Sequence, residues 1–288
     1  MDDQGGPPHP GGRRGVADGP PGELDARVLG AWDALLALAA EREELGPLAE
    51  LGSWPERPVL ERLVEQARGG VPPGPRPDRL DHSGDGPDAI RAALAEARDR
   101  VAAALTTAAA QPELALAEPD SALGPLPLLT QIHAMCHELA LAALRLPGAA
   151  AAGLPEAVTD AGVAALVDVV GALAHRQGLR ARAAVWGPGT AGWQFRADGA
   201  GWTTEPCPVI PPPGVPGIEG AAATVLGVPS GRGALPALLA RGEIRLHRIG
   251  GLMALAPLVE QVPGLPGGAL LRRAVGVVGL LGRLPGMR

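Results

Sequence analysis

Between residues 23 and 177, apolar side chains recur at the spacing of an α-helix, and this pattern limits the possible folds most strongly. Hydrophobic residues make up 46% of the 288-residue chain, but aromatic residues only 2%. The core must therefore be built from closely packed Leu, Ala and Val. The first helix is predicted from about 23 to 44, on the stripe formed by Leu24, Val28, Trp32, Leu35 and Ala39.

Four more helical segments follow the first one. They are predicted at about 54–68, 90–108, 125–146 and 163–178, with a loop rich in Pro, Gly and Asp at 69–86. The fourth helix, 125–146, is apolar most of the way round, which is typical of a helix in the middle of a bundle. Five helices joined by short to medium loops predict a helical bundle.

After residue 178 the pattern changes to alternation of apolar and polar side chains. Trp193 to Trp202 predicts a β-hairpin that turns at Asp198-Gly199, and residues 243–247 predict a strand. Residues 223–228 are a further candidate strand, and short helices are predicted at about 232–240, 252–262 and 268–283. The predicted fold is α+β: a disordered Gly- and Pro-rich tail over 1–22, a bundle over 23–178, and a small α/β domain over 179–288.

Charge and composition exclude some classes of function. The net charge is −6 and the chain has no Tyr and one Phe, so it offers neither a basic face nor stacking rings for nucleic acid. No secretory signal pattern opens the sequence, and no uninterrupted apolar run approaches about 18 residues, so we expect a cytoplasmic protein without a membrane span. Cys136 and Cys207 lie in very different contexts and do not predict a disulfide.

The segment Gly187 to Gly192 satisfies the G-x-G-x-x-G pattern of dinucleotide-binding folds. That site requires a helix to begin at the third glycine, so that the helix N-terminus can hold a pyrophosphate. Here a strand-like segment follows instead, from Trp193 to Arg196. The pattern therefore predicts a turn between strands.

His133 and His137 are the candidate metal ligands. At positions i and i+4 they lie on one face of the fourth helix, a spacing that can present two imidazoles to one metal ion. Leu141 and Leu144 nearby indicate that both histidines point into the bundle. The alternative is two buried side chains that are hydrogen-bonded within the bundle, since a metal would need a third ligand from another helix.

Three segments together resemble the mycothiol-dependent maleylpyruvate isomerase family. They are Trp54 with Val59–Val64, then His133–Leu144, then Leu238–Leu246. The resemblance implies a DinB-like metal-binding bundle followed by a sterol-carrier-protein-like α/β domain, and it covers about residues 23–263. It also implies a divalent metal such as zinc, the thiol mycothiol as cofactor, and a small-molecule substrate.

The family's three metal ligands map onto altered positions. Its first histidine falls on Arg62, which has no lone pair to give. Its glutamate falls on His133, and its second histidine is kept as His137. The resemblance therefore predicts a degenerate member with an impaired metal site, unless His82, Glu61 or Glu138 supplies a replacement ligand.

The sequence leaves three functional hypotheses open. The first is a degenerate isomerase-type protein without a working metal. The second is a non-catalytic carrier that holds an apolar ligand through the C-terminal domain, with no cofactor. The third is a thiol-dependent transferase with a rearranged metal site, in which Arg232 and Arg241 are candidates for binding an acidic substrate. Whether the protein is an enzyme, and its oligomeric state, are left open.

Overall fold

The structure is a computed structural model that describes residues 12–20, 22–52, 85–118, 124–149, 153–228 and 234–261. The longer helices carry the apolar stripes of the sequence. They are α1 (Glu23–Ala40), α3 (Pro87–Ala110), α5 (Leu128–Leu144) and α6 (Glu156–Arg176). The shorter helices are α2 (Ala49–Gly52), α4 (Pro112–Ala115), α7 (Ala222–Gly227), α8 (Leu235–Ala240), α9 (Ile249–Leu252) and α10 (Ala256–Gln261).

The strands form one mixed sheet of six strands in the order β1-β4-β3-β2-β5-β6. They are β1 (Arg13–Arg14), β2 (Ala181–Gly187), β3 (Thr190–Asp198), β4 (Gly201–Pro206), β5 (Gly217–Gly220) and β6 (Ile244–His247). The central strands β2, β3 and β4 are antiparallel neighbours, and β5 joins β2 in parallel. Helices and a mixed sheet in one chain agree with the predicted α+β class.

The predicted disordered tail is wrong for the part of it that the structure describes. Arg13 and Arg14 form β1, which pairs in parallel with Gly201 and Trp202 of β4. A 3-10 helix follows at Gly15–Asp18, and the side chain of Val16 within it is buried. Local composition favours disorder here, but the segment is ordered because the edge of the sheet supplies backbone partners for it.

The long helices and the hairpin occur where the sequence predicts them, with α1 ending four residues early at Ala40. The strand predicted at 223–228 is wrong, because Ala222–Gly227 is the helix α7. A short apolar run fits a strand and a buried helix equally well, and here the strand lies just before it as β5. The predicted helices at 54–68 and 268–283, and the loop between 69 and 84, lie outside the described residues.

The segment that matches G-x-G-x-x-G is a tight turn, as predicted. β2 ends at Gly187 and β3 begins at Thr190, so a strand follows the glycines and not a helix. Gly187 has φ +143°, and a Cβ there would meet the carbonyl oxygen of Gly220 at 2.2 Å. Close packing of β2 against β5 thus explains the first glycine of the pattern.

One cluster of buried side chains runs across the predicted boundary at 178, from Val28 in α1 to Phe195 in β3 and Ile244 in β6. The sheet packs on α6, which lies between it and α5. By length and mean hydropathy (1.7) α6 could cross a membrane, but 72% of that window is buried inside the protein. Burial against other elements is typical of a core helix, and the division into two domains stays a prediction.

α5 and α6 approach each other closely at Gly162. A Cβ at this position would meet the Cβ of Ala140 at 2.7 Å, so no larger side chain fits without moving one helix. We expect Gly162→Val to lower the free energy of unfolding by about 1–3 kcal/mol through overpacking. Urea denaturation followed by circular dichroism measures the change.

Gly30 of α1 provides the matched control for this helix contact. It is also inside a long helix, but a Cβ there would meet no heavy atom within 4 Å. Gly30→Val should change stability by no more than about 0.5 kcal/mol. Equal effects of the two substitutions would contradict a tight contact between α5 and α6 at Gly162.

Candidate functional site

The two candidate histidines lie inside the protein, as the sequence predicts. His133 and His137 are both on α5, and their exposed fractions are 0% and 9%. α5 packs against α1 on one side and α6 on another, and its apolar circumference leaves these polar rings no route to water. Each imidazole must therefore find its hydrogen-bond partners within the fold.

His133 is held by a carboxylate from the neighbouring helix. Its Nδ1 lies 3.4 Å from Oδ2 of Asp168 on α6, and both side chains are fully buried. A carboxylate only accepts hydrogen bonds, so this contact assigns the proton to Nδ1 of the ring. In that tautomer Nε2 carries a lone pair without a proton.

Asp168 is the hub of this region, and the sequence analysis missed it. Its Oδ1 accepts hydrogen bonds from Nε1 of Trp202 at 2.9 Å, Oγ1 of Thr204 at 2.8 Å and the backbone N–H of Val16 at 3.3 Å. One carboxylate thus joins α6, β4, the N-terminal segment and His133. The available signal was a single acidic residue within the apolar run Val167–Val170 of α6.

His137 is held differently, through the backbone of α6. Burial lowers the pKa of His137 to about 4, and a hydrogen bond to the backbone of Gly162 opposes that shift. The ring is therefore neutral at pH 7. Its Nδ1 is buried and has no hydrogen-bond partner among the residues described.

Four buried polar atoms around this helix face have no partner in the part of the chain that is described. They are Nε2 of His133, Nδ1 of His137, Oγ1 of Thr130 and Nε1 of Trp32. Thr130, His133 and His137 follow one another at i, i+3 and i+7, so they share one face of α5. Unpaired buried polar atoms are costly, and this group marks the site where a missing partner would bind.

Two of these atoms fit the ligand set of a divalent metal. Metal-binding imidazoles commonly have their second ring nitrogen bonded to a carboxylate or a backbone carbonyl, which Asp168 and Gly162 provide here. A complete site is not present within the described ranges, where no three His, Cys, Asp or Glu side chains come together. The set fits a metal only in part, and no chemical step is derived through one.

Of the three candidate replacement ligands, the structure describes Glu138 alone. Glu138 is exposed and therefore lies off the buried face that carries the two imidazoles. Arg62, Glu61 and His82 lie outside the described residues, so the alignment that places Arg62 opposite the histidines stays a prediction. The same applies to the candidate substrate-binding residue Arg232.

Arg241, the other candidate for an acidic substrate, lies on the surface at the end of α8. Its guanidinium forms a hydrogen-bonded ion pair with Glu243, which raises the pKa of Arg241. The side chain is 57% exposed. This geometry is that of an ordinary surface ion pair.

Asp160 forms a second polar junction between α6 and the sheet, in addition to that of Asp168. Oδ1 of Asp160 accepts hydrogen bonds from Oγ1 of Thr190, the backbone N–H of Ala191 and Nε1 of Trp193, at 2.7–2.9 Å. The guanidinium of Arg27 on α1 stacks 4.3 Å from the Trp193 ring centre. Burial lowers the pKa of Arg27, while Asp160 raises it.

Neither cysteine is a ready nucleophile. Burial raises the pKa of Cys136 to about 12, and burial raises that of Cys207 to about 11. Both thiols are therefore protonated at neutral pH, and only the thiolate is reactive. The two are free, in agreement with the prediction of no disulfide.

Comparisons with known proteins give a limited result. No family model matches the sequence, and no curated protein matches it either. Among solved structures, the mycothiol-dependent maleylpyruvate isomerase and a histidine-to-alanine mutant of it are similar, each at 18% identity, covering 77% of this chain and 93% of theirs. The TM-scores are 0.43 and 0.44. These figures do not establish the family, which stays a prediction from the sequence resemblance.

Proposed function

We propose that this chain is a divergent maleylpyruvate-isomerase-type protein in which the metal centre is impaired and the bundle serves binding instead of catalysis. One observation carries the proposal: His133 is fully buried and points its Nδ1 at Asp168, which also binds the sheet and the N-terminal segment. This ring takes part in the junction that holds bundle and sheet together. A cytoplasmic location belongs to the proposal.

The burial of this junction argues for a structural role. A catalytic metal needs an open coordination position that substrate or water can reach. His133 has no exposed surface at all, and His137 has only 9%. Cys136 beside them cannot supply a thiolate, because burial raises its pKa to about 12.

A second candidate function is a thiol-dependent isomerase or transferase with a rearranged metal site. The specific support is the pair of bare nitrogens, Nε2 of His133 and Nδ1 of His137, with the other side of each ring already oriented. These two atoms would hold a divalent metal such as zinc. When bound, the metal would lower the pKa of an added thiol such as mycothiol.

The carrier function has less support within the described residues. The main surface hollows are lined by arginines, glycines and alanines and not by a continuous apolar wall. The carrier prediction is based on the abundance of Val, Leu and Gly after residue 220, and the part of that stretch beyond residue 261 lies outside the described residues.

Metal content tests the proposal against its alternative. We expect protein purified without chelator to contain far less than one zinc per chain, with no difference between wild type, His137→Ala and the surface control His247→Ala. His247 is a suitable control because it is part-exposed and bonded to Glu219 at 2.7 Å. Elemental analysis by mass spectrometry gives the stoichiometry.

The opposite pattern would overturn the impaired-site proposal. Stoichiometric zinc in wild type and His247→Ala that is lost in His137→Ala supports the metal-dependent alternative. Far-ultraviolet circular dichroism of each variant establishes that the helices remain. The milder His137→Gln replaces the variant if alanine prevents folding.

A further inference from the structure

Four arginines line two adjoining hollows on the sheet, away from the histidines. We call Arg180, Arg182, Arg196 and Arg248 the arginine hollow. The larger hollow, about 650 Å³, lies against the first three of them, and the smaller, about 320 Å³, lies against Arg180, Arg182 and Arg248. The two share Arg180 and Arg182, so they form one continuous surface.

Two of these arginines are direct neighbours across the sheet. Arg182 of β2 and Arg196 of β3 are register partners, and both are exposed between buried neighbours. Like charges opposite each other in an antiparallel pair destabilise the sheet. Arg182 bonds to the carbonyl oxygen of Gly214 and Arg196 lies 3.9 Å from Asp198, but neither contact removes the like-charge pairing across the two strands.

The hollow carries a surplus of positive charge. Among the described residues that line the two hollows, Asp198 is the single acidic one against four arginines, which leaves three formal positive charges. Asp198 already accepts hydrogen bonds from Arg13 and from the backbone of Ala200, and it lies 3.9 Å from Arg196. The surplus stands out because the whole chain has a net charge of −6.

The backbone at Arg248 adds an independent signal. Its φ is +53° and its ψ is 54°, and no other non-glycine residue in the described ranges has a positive φ. A left-handed conformation costs a residue with a Cβ about 1–2 kcal/mol. The fold thus keeps an arginine in a strained position at the rim of a surface that already carries an unfavourable arginine pair.

We infer that the arginine hollow binds a small polyanion, a compact molecule with two or more carboxylate or phosphate groups. Guanidinium groups bind both by paired, charge-assisted hydrogen bonds. An anion placed between Arg182 and Arg196 would turn their repulsion into a shared attraction. The two hollows, about 320 and 650 Å³ in volume, are large enough for a small ligand.

Arg182 is also fixed in place for this role. It donates a hydrogen bond from Nη2 to the carbonyl oxygen of Gly214, at 3.0 Å, on the far wall of the smaller hollow. A guanidinium that is held by one donor retains others for a ligand. The site is partly ordered before the ligand arrives, which lowers the entropic cost of binding.

The test uses citrate and pyrophosphate as probes, measured by isothermal titration calorimetry and thermal denaturation at constant ionic strength. We expect at least one probe to bind and to raise the Tm. The double variant Arg182→Gln/Arg196→Gln should bind at least about tenfold more weakly. Its ligand-free Tm should equal or exceed that of wild type, because the like-charge pair is gone.

Arg245→Gln is the matched control. Arg245 is an exposed arginine on β6 of the same sheet, but it has an acidic partner in Glu219 at 3.6 Å. It should bind the probes as wild type does. Failure of both probes to bind, or equal binding by the double variant, would overturn the inference.

Two further measurements separate the source of the effect. If sodium chloride at matched ionic strength raises the Tm as much as the probes do, the rise is due to general charge screening. That result would overturn the inference of a site. The other contrary outcome is that a single-stranded oligonucleotide binds more tightly than either probe and loses that binding in the double variant. This result would overturn the inference of a small ligand and indicate that the hollow binds nucleic acid. Preference for citrate or for pyrophosphate identifies the anionic group.

Discussion

Replacing Asp168 by alanine should lower the free energy of unfolding by about 3–5 kcal/mol, the cost of removing one member of a buried polar cluster. The substitution leaves Nε1 of Trp202 and Nδ1 of His133 buried without an acceptor, and it removes the acceptor of the part-buried Thr204 hydroxyl. It also releases the N-terminal segment, whose Val16 N–H is bonded to the same carboxylate. Urea denaturation followed by tryptophan fluorescence measures the loss.

Two variants sharpen this measurement. Asp168→Asn keeps an oxygen for Trp202 and Thr204 and loses the charge, so we expect a smaller loss of about 1–3 kcal/mol. Asp99→Ala removes a carboxylate that is 77% exposed and weakly paired with Arg98, and it should cost less than about 1 kcal/mol. An Asp168→Ala protein as stable as Asp99→Ala would show that the junction does not hold bundle and sheet together.

The second large effect is loss of stability in mild acid through His137. Burial lowers the pKa of His137 to about 4 in the folded protein, from 6.5 in the unfolded chain. Between these values the unfolded chain binds a proton that the folded protein does not, so stability falls as the pH falls. This proton linkage lowers the free energy of unfolding by about 1.4 kcal/mol per pH unit. The total loss of about 3 kcal/mol is complete below pH 4.

His137→Leu isolates this contribution. The leucine variant lacks the titrating ring, while the other ionisable groups are common to both proteins. As the pH falls from 7 to 4, the unfolding free energy of wild type should therefore decrease relative to that of the leucine variant. Urea titrations in the presence of a chelator, at several pH values, give the curve; a difference that does not vary with pH would refute the buried neutral ring.

These two effects bear directly on function. If Asp168 and His133 together stabilise the junction between the helices and the sheet, His133 has a structural role. If His137 remains neutral and unpaired in the absence of metal, its buried Nδ1 keeps the lone pair that a metal would use. The residues that line the arginine hollow do not include His133, His137 or Asp168.

The four long helices, the hairpin and the inward-facing histidines were predictable from the sequence. Each depends on local periodicity: the apolar stripe of α5 places His133 and His137 on a buried face, and the alternation around Asp198 forms the hairpin. The helix α7 was mistaken for a strand because a six-residue apolar run satisfies both patterns. β2 was not predicted, since its nearly continuous burial conceals the alternation.

The partners of the functional residues could not be read from the chain. Asp168 is 35 residues from His133, 34 from Trp202 and 152 from Val16, and no local pattern relates these positions. Arg182 and Arg196 face each other only because β2 and β3 pair in one particular register. A shift by one residue would place one of the two on the opposite face of the sheet.

Sequence patterning thus determined which side chains are buried and on which elements, because burial follows from the spacing of apolar residues along each helix and strand. The four long helices, the hairpin of β3 and β4, and the buried pair on α5 belong to this part. Tertiary structure alone decided that His133 has a carboxylate as partner, that residues 13–18 are ordered, and that the arginines converge. These features arise from contacts between distant segments, whose geometry depends on how α6 packs between α5 and the sheet.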